Sequence, residues 1–208
     1  MFVYSKAQFQ MLLDLEDLVV FESLLDLGAG DGKVTQKMSP FFRHVLTTEI
    51  SPVMQWRLKQ KNFHILDIDS WNTMENFPKD LTIESYNGKP QYDVVACLNL
   101  LDRCDKPMTL LSDIKMVLKP STGRLVIALV FPLQQYVETT IGNVPSEMLD
   151  VSHSQVWEVQ FSSLIENVFK PLGYDLLKWT VAPYLCEGDF SQSFYALKDV
   201  IMVFRTSS

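Results

Sequence analysis

Leu24-Leu25-Asp26-Leu27-Gly28-Ala29-Gly30-Asp31-Gly32 is the stretch that decides the fold. An apolar run ends on an acidic residue, then on three glycines each separated by one residue. The pattern reads as a buried parallel strand that turns sharply into a helix beginning near Lys33. Glycines serve where the backbone needs unusual dihedrals or a ligand must approach with no Cβ in the way. Backbone N–H groups at such a turn, beside a helix N-terminus, suit a carboxylate or phosphate. A dinucleotide-binding turn requires G-x-G-x-x-G. Here position 33 is Lys and the third glycine falls one residue early. The plain alternative is a glycine-rich turn that holds no ligand.

Outward from this stretch, strand and helix patterns alternate, which argues for a mainly parallel sheet covered on both faces. Phe9, Leu12 and Leu13 mark a leading helix over residues 8–18. Strands are expected at about 23–27, 44–49, 63–66, 92–98 and 124–130. Helices are expected at 33–38, after Ser51-Pro52, at 106–118 and at 157–169. Ser51 and Pro52 are well suited as N-cap and first helical residue. Two last strands, about 176–182 and 195–204, are joined by a loop containing Glu187-Gly188-Asp189. Residues 70–91 read as loop with one helical turn, and 132–145 as a loop across the mouth of a cleft. The 208 residues, 47% of them hydrophobic, suit one domain with a sizeable core. We therefore expect a single Rossmann-like α/β domain over 1–208. Its mainly parallel seven-stranded sheet carries helices on both faces and an antiparallel C-terminal strand.

The formal charge is −7, so the surface as a whole repels nucleic acid. Neutral or cationic partners fit better. Cys97, Cys104 and Cys186 are odd in number and lack metal-site spacing, so they read as reduced thiols and no metal is expected. No apolar run reaches the roughly 18 residues of a membrane span. His44 and His64 fall in expected strands and read as structural, while His153 falls near a helix start.

In open α/β sheets, ligands sit beyond the carboxyl ends of the strands, near the point where strand order reverses. The pattern Asp-x-Gly-x-Gly-x-Gly over 26–32 resembles motif I of the S-adenosylmethionine-dependent methyltransferases. That cofactor would set its amino-acid portion against Asp26 and the glycines. Glu49, ending strand two, can accept from both ribose hydroxyls. Beyond strand three, either Asp67 or Asp69 can accept from the adenine amino group. Asp69 is preferred because Asp67 can still belong to the strand. Strand four runs into Asn99-Leu100-Leu101-Asp102-Arg103, placing polar groups where a cofactor's methyl would face a substrate. Asn99 offers a donor and an acceptor, Asp102 an acceptor-only carboxylate. Taken alone, Asn99 also reads as a turn former and Asp102 as an N-cap.

Three stretches together closely resemble the DREV-type methyltransferases: 24–32, 98–107, and Pro183-Tyr184-Leu185-Cys186-Glu187-Gly188-Asp189. These methyltransferase-like enzymes modify protein histidine at the ring nitrogen nearer the backbone, Nπ (Nδ1). The opening Met1-Phe2-Val3-Tyr4-Ser5 and Gln8-Phe9-Gln10 also look like the start of the family's catalytic domain. The resemblance spans essentially the whole chain and departs at 70–91, which is longer and more polar. It implies a class I methyltransferase domain, S-adenosylmethionine as cofactor, and S-adenosylhomocysteine as product. It further implies a His-x-His target with a small residue between the histidines.

Carried onto this chain, the resemblance gives Asp26, Gly28, Gly30, Glu49, Asp69 and Asn99 to the cofactor. It gives catalytic roles to Asn99, Asp102 and Tyr195. The substrate site would be lined by Asp102, Arg103, Tyr184, Glu187, Asp189 and Tyr195. The expected partners are His-x-His proteins or peptides, with no nucleic acid, and the expected state is a monomer. We also expect a native segment upstream of Met1 that helps close the site and associates the protein with endomembranes or mitochondria. Residues 1–208 themselves are expected to form a soluble intracellular domain. Rival readings are a same-fold methyltransferase acting on another side chain or a small molecule, and a non-catalytic cofactor-binding module. A nicotinamide-dependent oxidoreductase is disfavoured by the glycine spacing.

Overall fold

Strand β1 (Phe21–Leu27) is buried without a break from Ser23 onward, which is why Leu24, Leu25 and Leu27 do not alternate with exposed polar residues. The structure, a computed structural model, describes residues 3–15, 20–75, 77–138, 141–188 and 190–207. β1 pairs in parallel with β2 (Phe42–Thr48) on one side and β4 (Val94–Leu98) on the other. Outside β2 lies β3 (His64–Leu66), and outside β4 lies β5 (Arg124–Val130), both parallel to their neighbours. The chain ends in a long hairpin, β6 (Tyr174–Glu187) and β7 (Phe194–Thr206). β7 inserts antiparallel between β5 and β6, giving the order β3-β2-β1-β4-β5-β7-β6. Strand order reverses between β1 and β4, so the segments after these two strands border one crevice.

The two faces of the sheet bury separate apolar layers. Leu25, Val95, Ile127 and Phe204 pack with α4 (Pro107–Val117) and α5 (Trp157–Leu164). Phe169 and Phe204 stack within that layer with ring centroids 4.1 Å apart. On the other face Leu24, Val94, Val126 and Ile201 pack against Val3, Tyr4, and Phe9 and Leu12 of α1 (Lys6–Leu12). A reciprocal capping box starts α1: the Gln8 N–H donates to Ser5 Oγ (3.2 Å) and the Ser5 N–H to Gln8 Oε1 (2.8 Å).

The fold class, a mainly parallel seven-stranded sheet with an antiparallel C-terminal strand, is as expected, but several elements differ. α1 ends at Leu12 rather than continuing toward Leu18, which lies outside the described residues. The helix after the glycines, α2 (Thr35–Met38), is one turn long. Asp31 Oδ1 accepts from the Lys33 N–H (3.1 Å), a local turn that competes with an earlier helix start. Ser51 stands at the N-cap of α3 (Pro52–Gln60) without capping it through its hydroxyl. Residues 70–91 form no helical turn among those described; a small hairpin pairs Ser85–Tyr86 with Lys89–Pro90. Its turn residues Asn87 and Gly88 have φ of 49° and 73°, as a tight hairpin turn demands. α5 runs on as a wider π turn over Ile165–Phe169. The last two strands extend well past their expected ends, so positions 183–187 belong to β6 and not to a loop. No helix among the described residues is long and apolar enough to cross a membrane.

Candidate active site

The glycine turn after β1 is clipped to the end of β2. The Gly28 N–H donates to Thr48 Oγ1 (3.2 Å) and the Ala29 N–H to the Thr48 carbonyl (3.0 Å). Glu49 then bridges the turn to α3. One carboxylate oxygen accepts from the Gly30 N–H (2.8 Å), the other from the Ser51 N–H (2.9 Å). Each oxygen keeps a second lone pair for a hydroxyl ligand. Gly30 and Gly32 both have positive φ, 56° and 75°. Their surroundings differ. A Cβ on Gly32 would lie 2.8 Å from Leu58, whereas one on Gly30 would meet nothing within 4 Å. Gly32 is thus required by packing, and Gly30 leaves an open cradle.

Asp26 lies beneath this turn, 2% exposed, and accepts from the Thr35 hydroxyl at 2.6 Å. Burial pushes its carboxyl up to about 7; Thr35 works against that, and the nearby charge of Glu49 adds to it. Asp67 and Asp69 are exposed, and both follow the last residue of β3. Asp67 Oδ1 accepts from the Asp69 N–H at 2.8 Å. The reason for preferring Asp69, that Asp67 could belong to the strand, therefore does not hold.

Beyond β4 the chain turns at Asn99, whose φ of 53° suits Asn better than most residues. The Asn99 N–H donates to the Ala128 carbonyl (2.9 Å), which ties the turn to β5. Its side-chain Nδ2 donates to Asp199 Oδ2 (2.9 Å). Asp102 follows in a single 3-10 turn and is buried. Arg103 Nε pairs with its Oδ2 at 3.4 Å, and the Arg103 guanidinium lies 5.4 Å from the Tyr136 ring centroid. Desolvation raises the Asp102 carboxyl above the ordinary range despite the Arg103 charge. The Tyr136 N–H donates to the Asp102 carbonyl (2.9 Å), so the loop after β5 does cross this segment, as its sequence suggested.

Among the described residues, three enclosed side-chain oxygens find no hydrogen-bond partner: Asn99 Oδ1, Asp102 Oδ1 and Asp199 Oδ1. All three belong to this cluster. Tyr184 completes it. Its hydroxyl is driven up by burial, then by Cys186, Asp199 and Asp102. The register Ala182↔Asp199, Tyr184↔Leu197 and Cys186↔Tyr195 sets Tyr184, Asp199 and Tyr195 on one face of the β6–β7 hairpin. Tyr195 stands four residues, about 13 Å, from Asp199 toward the hairpin tip. Glu187 ends β6 at that tip, and Asp189 lies outside the described residues.

Asp199 is the residue that sequence reading missed. Its signal was present: a lone carboxylate opening the apolar run Val200-Ile201-Met202-Val203-Phe204. A cleft of about 550 Å³ behind the β5 loop, lined by Gln135, Asp150, His153 and Gln160, holds none of the expected site residues. No group of metal-ligating side chains occurs among the described residues.

A strand order reversing at β1 and β4, a glycine turn after β1, a carboxylate after β2 and polar acceptors after β4 define a Rossmann-like fold of the class I methyltransferase type. Solved structures share the fold. The N-methyltransferase NodS of Bradyrhizobium japonicum, solved with S-adenosylhomocysteine, is 15% identical with a TM-score of 0.56, over 98% of this chain and 86% of that one. The TehB-like S-adenosylmethionine-dependent methyltransferase of Corynebacterium glutamicum is 16% identical with a TM-score of 0.54, over 99% and 89%. The [4+2]-cyclase SpnF is 14% identical with a TM-score of 0.57, over 97% and 81%. Such likenesses establish fold alone, and the cyclase illustrates why a fold does not fix a reaction. The model of the DREV methyltransferase family matches residues 1–206, and the chain belongs to that family. Membership carries methyltransferase activity with S-adenosylmethionine as cofactor. The open cradle at Gly30 and the spare lone pairs of Glu49 fit that cofactor.

Proposed function

We propose that this methyltransferase modifies Nπ (Nδ1) of histidine in His-x-His sequences of proteins, x being a small residue. The observation that carries this reading is the pair of enclosed, unpartnered oxygens Asn99 Oδ1 and Asp102 Oδ1 beyond β4. Such atoms are costly to bury unless a ligand donates to them. A neutral imidazole has one N–H to give and one lone pair to attack with.

When bound, the cofactor supplies a methyl group already activated on a sulfonium, so no strong base is needed. Asp26, Gly28, Gly30 and Glu49 would hold it, with Asn99 at its methyl end and Asp67 or Asp69 toward its adenine. Asp102 would accept from Nτ–H, which fixes the tautomer and leaves the Nπ lone pair free. As the ring gains positive charge, that hydrogen bond becomes charge-assisted and strengthens in the transition state. Tyr184 and Tyr195 would wall the ring, with Glu187 beyond them at the end of β6; a substrate role for Asp189 remains part of the proposal. Arg103 would hold Asp102 in place while leaving Oδ1 uncommitted.

The test is methyl transfer from labelled S-adenosylmethionine to a His-Ala-His peptide, beside peptides with each histidine replaced by alanine. Mass spectrometry and NMR would locate the methyl group. Labelling at Nπ of one histidine, lost with that histidine, supports the proposal. Transfer only to another nucleophile would replace it, and cofactor binding without any transfer would favour a binding module.

A further inference from the structure

The buried carboxylate of Asp199 has no role in the mechanism above, although it sits at the centre of the cluster. It is fully buried on β7, opposite Val130 of β5 and Ala182 of β6. The groups facing it are Asn99 and Asp102 from the segment after β4, and Tyr184 with Cys186 beside it from β6. None of these is a cation. A carboxylate buried in a strand without a positive partner is costly and has no packing advantage over an apolar residue. Its Oδ2 accepts from Asn99 Nδ2, and its second oxygen is among the three unpartnered ones.

We infer that Asp199 is a positioning residue: its ionised carboxylate captures Asn99 Nδ2, so that Asn99 presents Oδ1 to the reacting groups as an acceptor. The inference rests on the proposed transfer to an N–H-bearing nucleophile. An ionised carboxylate only accepts, so it can hold the amide in one of its two orientations and not the other. Without it the amide could turn over by about 180° at little cost, offering an N–H where the site needs an acceptor. Burial and the charge of Asp102 lift the Asp199 carboxyl to about 6, with the Asn99 hydrogen bond opposing them. Once protonated, Asp199 can itself donate to Asn99 Oδ1, and the orientation is lost.

Two measurements test this. In the wild-type protein loaded with S-adenosylhomocysteine and labelled with ¹⁵N-asparagine, the Asn99 side-chain protons should shift with a midpoint near pH 6. That titration should vanish in Asp199→Asn. On the His-Ala-His peptide, Asp199→Asn should lower kcat about 10- to 100-fold, the loss of one charge-assisted hydrogen bond. Cofactor Kd should stay within about twofold. The exchange Asn99→Asp with Asp199→Asn keeps the net charge and again turns an acceptor oxygen to the site, so it should recover most of the activity. An Asn99 amide that ignores pH between 5 and 7.5, or wild-type kcat in Asp199→Asn, would overturn the inference. So would a folded exchange variant with no recovery. Should Asp199→Asn fail to fold, the wild-type titration decides alone. Absence of methylation by the wild-type protein would count against the histidine reading instead, and the Asn99 titration would still stand as the test here.

Discussion

Asp26 and Asp102 are both buried carboxylates, and their neighbours separate their roles. Asp102 has a cation beside one oxygen and nothing at the other, an arrangement suited to a ligand. Asp102→Asn keeps the shape and removes the charge. We expect kcat for methyl transfer to fall about 100-fold while cofactor Kd, measured by calorimetry, is unchanged. An unchanged kcat would remove Asp102 from the mechanism. Asp26 is tied to a hydroxyl and to no cation, and its carboxyl titrates near 7 rather than 3.8. Between these values the folded protein holds a proton that the unfolded chain has released. Stability from this group is therefore complete below about pH 4 and is lost as pH rises through about 7. Asp26→Asn in the unliganded protein should flatten that decline and gain up to a few kcal/mol at pH 8. Urea unfolding at pH 4.5, 6 and 8 measures it.

At the scale of elements, the glycine turn was readable because its constraint is local: spacing alone distinguishes it from a dinucleotide turn. What each glycine does was not readable, because that depends on Leu58 of α3 reaching Gly32 and on nothing reaching Gly30. Gly32→Ala should destabilise the fold by about 2 kcal/mol or more through strain and overpacking, seen as a lower Tm. Gly30→Ala should cost only about 1 kcal/mol of stability and weaken cofactor binding at least tenfold by equilibrium dialysis. Asn99 and Asp102 were legible through the segment after β4. Asp199 was not, because its partner lies 100 residues away and meets it only when β7 enters between β5 and β6. The ends of β6 and β7 were misplaced for a related reason. Pro183 and the Glu187-Gly188-Asp189 sequence after it read as a loop, whereas the cross-strand register carries β6 on to Glu187.

For the whole molecule, alternating patterns revealed the sheet, since each parallel strand between helix layers must be apolar throughout. Because the proposed ligand site joins segments from β1, β2, β4 and the terminal hairpin, occupancy should be felt globally. S-adenosylhomocysteine at 100 times its Kd should add about 2.7 kcal/mol to unfolding free energy. A thermal shift that grows with the logarithm of ligand concentration, and that falls to the equivalent of about 1.4 kcal/mol or less in Gly30→Ala at the same concentration, checks the linkage.

The pairing of β7 with β5 ends at Asp199, while its pairing with β6 continues to Phe194. Positions 194–198 therefore pair with β6 alone, in a two-stranded ribbon that carries Tyr195 opposite Cys186 and Tyr184 opposite Leu197. In the proposed site, donor recognition falls on the opposite side of the strand order, at β1 and β2. On that proposed assignment the molecule is modular: exchanging the ribbon's tip for a relative's is expected to alter which nucleophile is accepted and to leave cofactor affinity unchanged.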